Sequence, residues 1–395
     1  MTSTRAAVRA AHHERDHDER ARRDRTHRRG FALPAALMAL VLIAALVAGA
    51  LFMSGEELRA GRTDIAAQRA LSSAEFALER TLASWDSRLN VTTRPGDTRT
   101  LATTVDRRGD SVAVAATRVH DRVFWITARG TSSADGRPIP ARTTIAASAR
   151  LLVPAAPLAA ALTVGGAATV VGGTVDGTDA TDSGRCPGER ARDAAGIMAP
   201  DSTRVCGADC TTRPPAGVFG SPPVNAGAVL TSDSTSAGRL AAVLAARAQM
   251  EVAGGALVPR PAVIDGRCLY EDPLNWGDPT VGSACADHYP VIHITGNATL
   301  GAGAVGQGTL VIDGSLTVAA GARFDGVIVA RNDVHVVGTG AEVTGVIIAL
   351  DGDGGEGSSV RDGGVVRFRG CVARRAMLGA ARLTRTPGRW WVELR

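Results

Sequence analysis

Lysine is absent: all 44 basic residues of this 395-residue chain are arginine. A surface selected to bind phosphate has no physical reason to exclude lysine, so the bias belongs to coding and not to a ligand. Aromatic residues make up only 4%. The cores must then be built from alanine, valine, leucine and isoleucine, which suits strands stacked in regular layers. Net charge is also scarce, at +5, and no dense basic cluster marks a nucleic-acid surface. Glycine (46) and proline (18) fall in no three-residue register, which excludes collagen, and 45% hydrophobic content excludes wholesale disorder. The length calls for more than one structural unit.

What is present is strongly segmented. Residues 1–30 hold nine arginines, five acids and four histidines without apolar periodicity, which reads as a basic leader. Residues 31–53 follow without a single charge. As a helix of ~1.5 Å rise per residue they span the ~30 Å hydrocarbon core, so this run is read as a transmembrane segment. Arg22, Arg23, Arg25, Arg28 and Arg29 before it place the N-terminus in the cytoplasm and the rest outside. Residues 54–90 extend the same helix in amphipathic form. Leu58, Ile65, Leu71, Leu78, Leu82 and Trp85 trace the expected buried stripe, and Gly55 and Gly61 are the expected weak points.

The string Arg28-Arg29-Gly30-Phe31-Ala32-Leu33-Pro34, followed by this two-part helix, resembles the class III signal of type IV pilins, and more closely PilX-type pilus-assembly proteins. Ala74-Glu75-Phe76-Ala77-Leu78 has the same texture. The resemblance covers roughly residues 28–85. It implies cleavage between Gly30 and Phe31 by a prepilin peptidase, N-methylation of Phe31, and an antiparallel sheet packed on the outer helix half. It also implies partners: the peptidase, other pilins through the N-terminal helix, an inner-membrane assembly platform and the lipid bilayer, but no nucleic acid. The chain would move from the bacterial inner membrane to the periplasm or a surface pilus. The usual Glu at the fifth mature position is replaced by Ala35, which points to another docking mode or a specialised subunit. The alternatives are an uncleaved membrane anchor, a type II secretion pseudopilin, and a membrane-tethered carbohydrate-active enzyme.

The expected fold is therefore α+β. Residues 91–153 read as a pilin-like antiparallel sheet, with β-rich runs at 111–119, 122–129 and 142–153. Residues 154–290 are rich in Gly, Pro and Cys, with one helix expected at 234–251. Residues 291–395 read as β-solenoid-like repeats with a C-terminal cap. Aligning 308–326 on 327–345 gives an offset of 18 to 19 residues. Val311, Ile312, Ile328, Val329, Ile347 and Ile348 are the expected stack, residues 159–175 an additional coil, and 365–377 with Trp390-Trp391-Val392 the cap. An ordinary antiparallel sheet with Gly-rich turns is the alternative to the solenoid.

No residue set stands out as catalytic, and no cofactor is implied. Cys186, Cys206, Cys210, Cys268, Cys285 and Cys371 all fall on the outer side, an even number that favours disulfides. Cys186 or Cys210 is expected to join Cys206, and Cys268 to join Cys285. Cys206-x-x-x-Cys210 lacks the second ligand pair of a zinc site. Gly301-x-Gly303-x-x-Gly306 opens onto a strand rather than a helix and fails as a dinucleotide fingerprint. Asp351, Asp353 and Glu356 form a weak calcium candidate. Asp325 and Asp333 are the acids that an enzymatic reading would use. Asn90 and Asn297 match glycosylation acceptors, which carry little force in the bacterial source that the pilin-like leader implies.

Overall fold

The computed structural model describes residues 32–105, 110–133, 140–180, 186, 190–211, 213–227, 236–351 and 354–394. The fold is α+β: one long helix, an antiparallel sheet, and a large parallel-stranded solenoid.

Helix α1 (Ala32–Ala83) has 52 residues, about 78 Å at 1.5 Å each. Pro34 sits in its first turn, where a missing N–H costs no intrahelical bond. The helix continues through Gly55 and Gly61 without interruption. Beyond it, a short helix α2 (Leu89–Thr92) leads into β1 (Thr98–Val105), β2 (Ser111–His120), β3 (Val123–Ser133) and β4 (Pro140–Leu152). These strands form an antiparallel meander in chain order. The alternating burial along β2 is what a sheet with one face against a core requires.

That core lies between the sheet and the outer half of α1, and alanine builds the helix side of it. Ala66, Ala70, Ala74 and Leu78 are buried at four-residue spacing. Leu58 and Ile65, expected in the stripe, are 63% and 52% exposed. The reason is distance. A Cβ on Gly130 of β3 would stand 2.0 Å from the Ala70 carbonyl oxygen, so helix and strand cross at backbone contact. Only small side chains fit such an approach. Larger ones flank it, where Trp85 meets Phe124 edge-on at 5.0 Å.

The sheet is completed from the far end of the sequence. The C-terminal strand β5 (Arg382–Leu394) pairs antiparallel with β4, Leu383 opposite Leu151 and Val392 opposite Ile145. Residues 390–392, expected to cap the solenoid, instead lie in this sheet. Residues 365–377 do not cap an end either: Val365–Phe368 is paired on both sides, between Glu342–Ala349 and Thr174–Asp176, and α4 (Gly370–Gly379) packs along the flank of three successive coils, on Val305–Ile312, Arg323–Ala330 and Glu342–Ala349.

The solenoid has three faces. One runs through Val291–Leu300, Val305–Ile312, Arg323–Ala330 and Glu342–Ala349 at their mutually paired residues, then Ala160–Val164 and Ala195–Ala199. The second stacks Leu316–Val318, Val334–Val337, Ser358–Arg361 and Ala168–Val171. The third stacks the first halves of the strands at 305, 323 and 342 on Val365–Phe368 and Thr174–Asp176. Every strand ladder in these stacks is parallel, which excludes the antiparallel alternative here. One interior column is Ile292, Leu310, Ile328, Ile347, Leu162 and Ile197, each in register with the next and each no more than 2% exposed. The expected column contained Ile328 and Ile347 but mixed three registers, because Val311, Val329 and Ile348 form the next row and Ile312 belongs to the one after it, with Ala330 and Ala349. Where two faces meet, the backbone turns on Gly326 (φ +147°) and Gly345 (φ +138°). A Cβ at Gly345 would lie 1.9 Å from the Gly326 carbonyl oxygen, so these corners admit glycine only.

The stacking order is permuted against the sequence. The chain enters mid-solenoid at Ala160–Val164 beside Glu342–Ala349, winds outward to Val224–Ala226, and crosses to the opposite end. It then winds back from Met250–Leu257 until Val365–Phe368 meets Thr174–Asp176. Segment 159–175 does add a coil, and it closes the ramp. The crossing carries helix α3 (Ser236–Ala245), shorter than the 234–251 expected, with Leu240 and Leu244 buried and Met250 already in a strand.

Candidate assembly surface and the neck–head junction

The inner half of α1 is an unpartnered apolar rod. Leu33, Met38, Leu46, Leu51 and Phe52 are each about 70% exposed, and nothing among the described residues covers them. Among the described residues this is the one helix long and apolar enough to cross a bilayer. Its polar continuation begins at Glu56, which accepts from Arg59 at 2.8 Å. Ala35 lies on the exposed rod. Gly30 and Phe31, the residues of the expected cleavage bond, lie outside the described residues.

Where α1 ends, the neck is tied to the head by side chains. Trp85 Nε1 donates to Asn90 Oδ1 at 2.8 Å, and Asn90 Nδ2 donates to the carbonyls of Leu378 and Ala381, each at 3.0 Å. Asn90 is fully buried, so its amide is spent on this tie and is not open to glycosylation. Arg88 lies 4.1 Å from the Tyr270 ring centroid and ion-pairs with Asp86 at 2.6 Å. Gln249 donates to Ser87 Oγ at 2.6 Å, and Arg247 donates to the carbonyls of Leu152 and Ala380. His288 sits edge-on to Tyr270 with Nε2 3.1 Å from the Asn275 carbonyl. Burial pushes its pKa down to about 4, against the opposing pull of the Asn275 carbonyl, so the ring is neutral at pH 7.

The six cysteines form three disulfides. Cys206 joins Cys210 and Cys268 joins Cys285, while Cys186 joins Cys371 across 185 residues. The last of these fastens Cys186 to α4. With Cys206 and Cys210 bonded to each other, neither offers a thiolate to zinc.

The remaining candidates stand apart from one another. Asp353 lies outside the described residues, and among those described no group of three metal-ligating side chains forms. Asp325 is buried on Arg323–Ala330 and Asp333 is buried in the turn after it; neither lines the cavity at Arg118 or the one at Trp85. Gly303 (φ +77°) belongs to a corner between two coils, with a strand and no helix after it.

No protein-family model matches the chain, and no curated protein matches it. Among solved structures, the competence-associated pilin ComZ from Thermus thermophilus aligns over 85% of this chain and 97% of its own, at 15% identity and a TM-score of 0.22. A TM-score that low means the two do not superpose as whole molecules.

Proposed function

We propose that this chain is a type IV pilin-like subunit, of the PilX kind, that is cut between Gly30 and Phe31 by a prepilin peptidase and joins a filament through α1. The observation that carries this reading is the division of α1. Its inner half exposes an apolar surface that needs lipid or other helices, while its outer half is fixed to a sheet at backbone contact through Ala66, Ala70 and Ala74. Apolar burial of about 25 cal/mol per Å² holds the precursor in the inner membrane, and the same surface is buried against neighbouring helices after extraction. A single rigid rod serves both states because the head never touches its inner half. The peptidase, other pilins and an assembly platform are the partners of this cycle.

The head, displayed on the far side of the neck, suits contact with other subunits or a surface. A role in type II secretion uses the same rod and differs in the machine it joins. The test is deletion of the gene followed by shearing and microscopy of surface fibres. Loss of fibres, restored by the full chain but not by a chain lacking residues 31–53, supports the proposal. Normal fibres without the protein overturn it.

A further inference from the structure

A cleft of about 1060 Å³ opens between the neck and the head, apart from the assembly surface. Volumes of roughly 300–1,000 Å³ are usual for organic ligands, so this cleft admits one with room for water. Its walls are apolar at Val91, Val153, Leu158, Val281, Met377 and Leu378. Its charge is mostly of one sign. Arg94, Arg118 and Arg122 come from the neck and Arg374 and Arg375 from α4, against Asp121 and Asp287. Arg375 is already paired with Asp287 at 2.9 Å and lies over the Tyr289 ring.

Arg118 organises the floor. It is 5% exposed, yet its guanidinium is accepted only by backbone carbonyls, those of Asn90 and Thr93 at 2.8 and 2.7 Å and that of Asp121. Its Nε has no acceptor. A buried guanidinium bound to neutral carbonyls keeps its full charge uncancelled, and burial pulls its pKa down in spite of Asp121. The same three contacts fix the two segments on either side. Thr93 precedes Arg94 and Asp121 precedes Arg122, so one buried side chain sets the position of two exposed arginines. Neither Arg94 nor Arg122 makes an ion pair among the described residues. Two guanidinium forks with unspent donors, on backbone fixed from below and beside an apolar wall, match a planar anion on an apolar body.

We propose that this cleft binds a small organic anion, a carboxylate or phosphate carried on an apolar group, with Arg94 and Arg122 as its ion-binding pair and Arg118 as the fixed charge beneath them. From Met53 to the end of α1 is about 45 Å of helix, which sets the cleft far above the bilayer surface. The ligand is therefore a soluble molecule or an exposed group on another macromolecule, not a headgroup of the anchoring membrane. The proposal stands whether or not the chain assembles into a filament.

The test uses the full chain in phosphatidylcholine nanodiscs, with ligand-observed NMR titrations of phenyl phosphate, benzoate and neutral benzyl alcohol, and empty nanodiscs as the blank. At least one of the two anions should bind about tenfold more tightly than benzyl alcohol, and which one does so distinguishes phosphate from carboxylate as the natural group. Binding should weaken with added sodium chloride and fall about tenfold in the double variant R94A/R122A. R331A, an exposed arginine on the solenoid, should leave it unchanged. Both arginines of the double variant are exposed, and the salt titration on the unaltered chain gives a readout free of any folding defect. Equal affinity for all three probes, insensitivity to salt, or unchanged binding in R94A/R122A overturns the proposal.

Discussion

Neck and head both bury small residues, but for different reasons. In the neck, Ala66, Ala70 and Ala74 let a helix lie against a sheet, and the contact is made by one strand position, Gly130. In the head, Gly326 and Gly345 let successive backbone corners stack, and the contact repeats from coil to coil. The neck thus concentrates its geometric demand at a crossing point, whereas the head spreads it along an axis. In the neck, added volume should be least tolerated at that crossing. The head should fail wherever its ramp is interrupted.

The largest effect is expected where the head's permuted chain is fastened. Closing a loop of 185 residues, Cys186–Cys371 should contribute about 5 kcal/mol by the loop-entropy relation, against about 2 kcal/mol for Cys206–Cys210. Denaturant melts of C186S/C371S and C206S/C210S read the difference directly, and equal losses would mean that loop length does not govern it.

Next come the glycines. Gly326→Val places a side chain within 1.9 Å of a carbonyl at a φ that valine avoids, and should cost about 4 kcal/mol or more. Gly130→Val should cost about 3 kcal/mol, because α1 can slide outward by part of the clash. Hydrogen exchange separates the two: the first should expose the solenoid strands, and the second the outer half of α1 with β3. A head unaffected by Gly326→Val would break the comparison.

A pH effect sharpens it at the junction. The folded pKa of His288, about 4, lies below its ordinary value of 6.5. The unfolded chain therefore binds a proton that the folded chain refuses between those values. Stability should fall as pH drops from about 6.5 to 4, by up to about 3 kcal/mol, and level off below. Replacement by His288→Gln should remove that slope while leaving the acid response of the rest of the chain. The smallest effect is expected for Ile65→Ala, about 0.5 kcal/mol or less, since this side chain is 52% exposed on the unused side of the helix.

The parts legible in sequence were those with a local period. Short β-rich runs in 111–153 placed β2, β3 and β4, and the offset of 18 to 19 residues revealed the parallel coils. What escaped had no local signature. The buried face of α1 is alanine, which scores weakly beside Leu58 and Ile65 although it alone permits the approach to Gly130. The return of Arg382–Leu394 to the neck sheet depends on a pairing more than 200 residues distant, and so does not show in any window. The Arg118 cleft and the Asn90 tie arise only where the two units meet, from residues that look ordinary in their own segments.

The central claim is that one apolar rod leaves the membrane after losing a basic leader. Mass analysis of the N-terminus after co-expression with a prepilin peptidase tests it most directly. The account predicts a mature chain beginning at N-methylated Phe31. A chain that retains Met1 and the full leader in the presence of an active peptidase would contradict it.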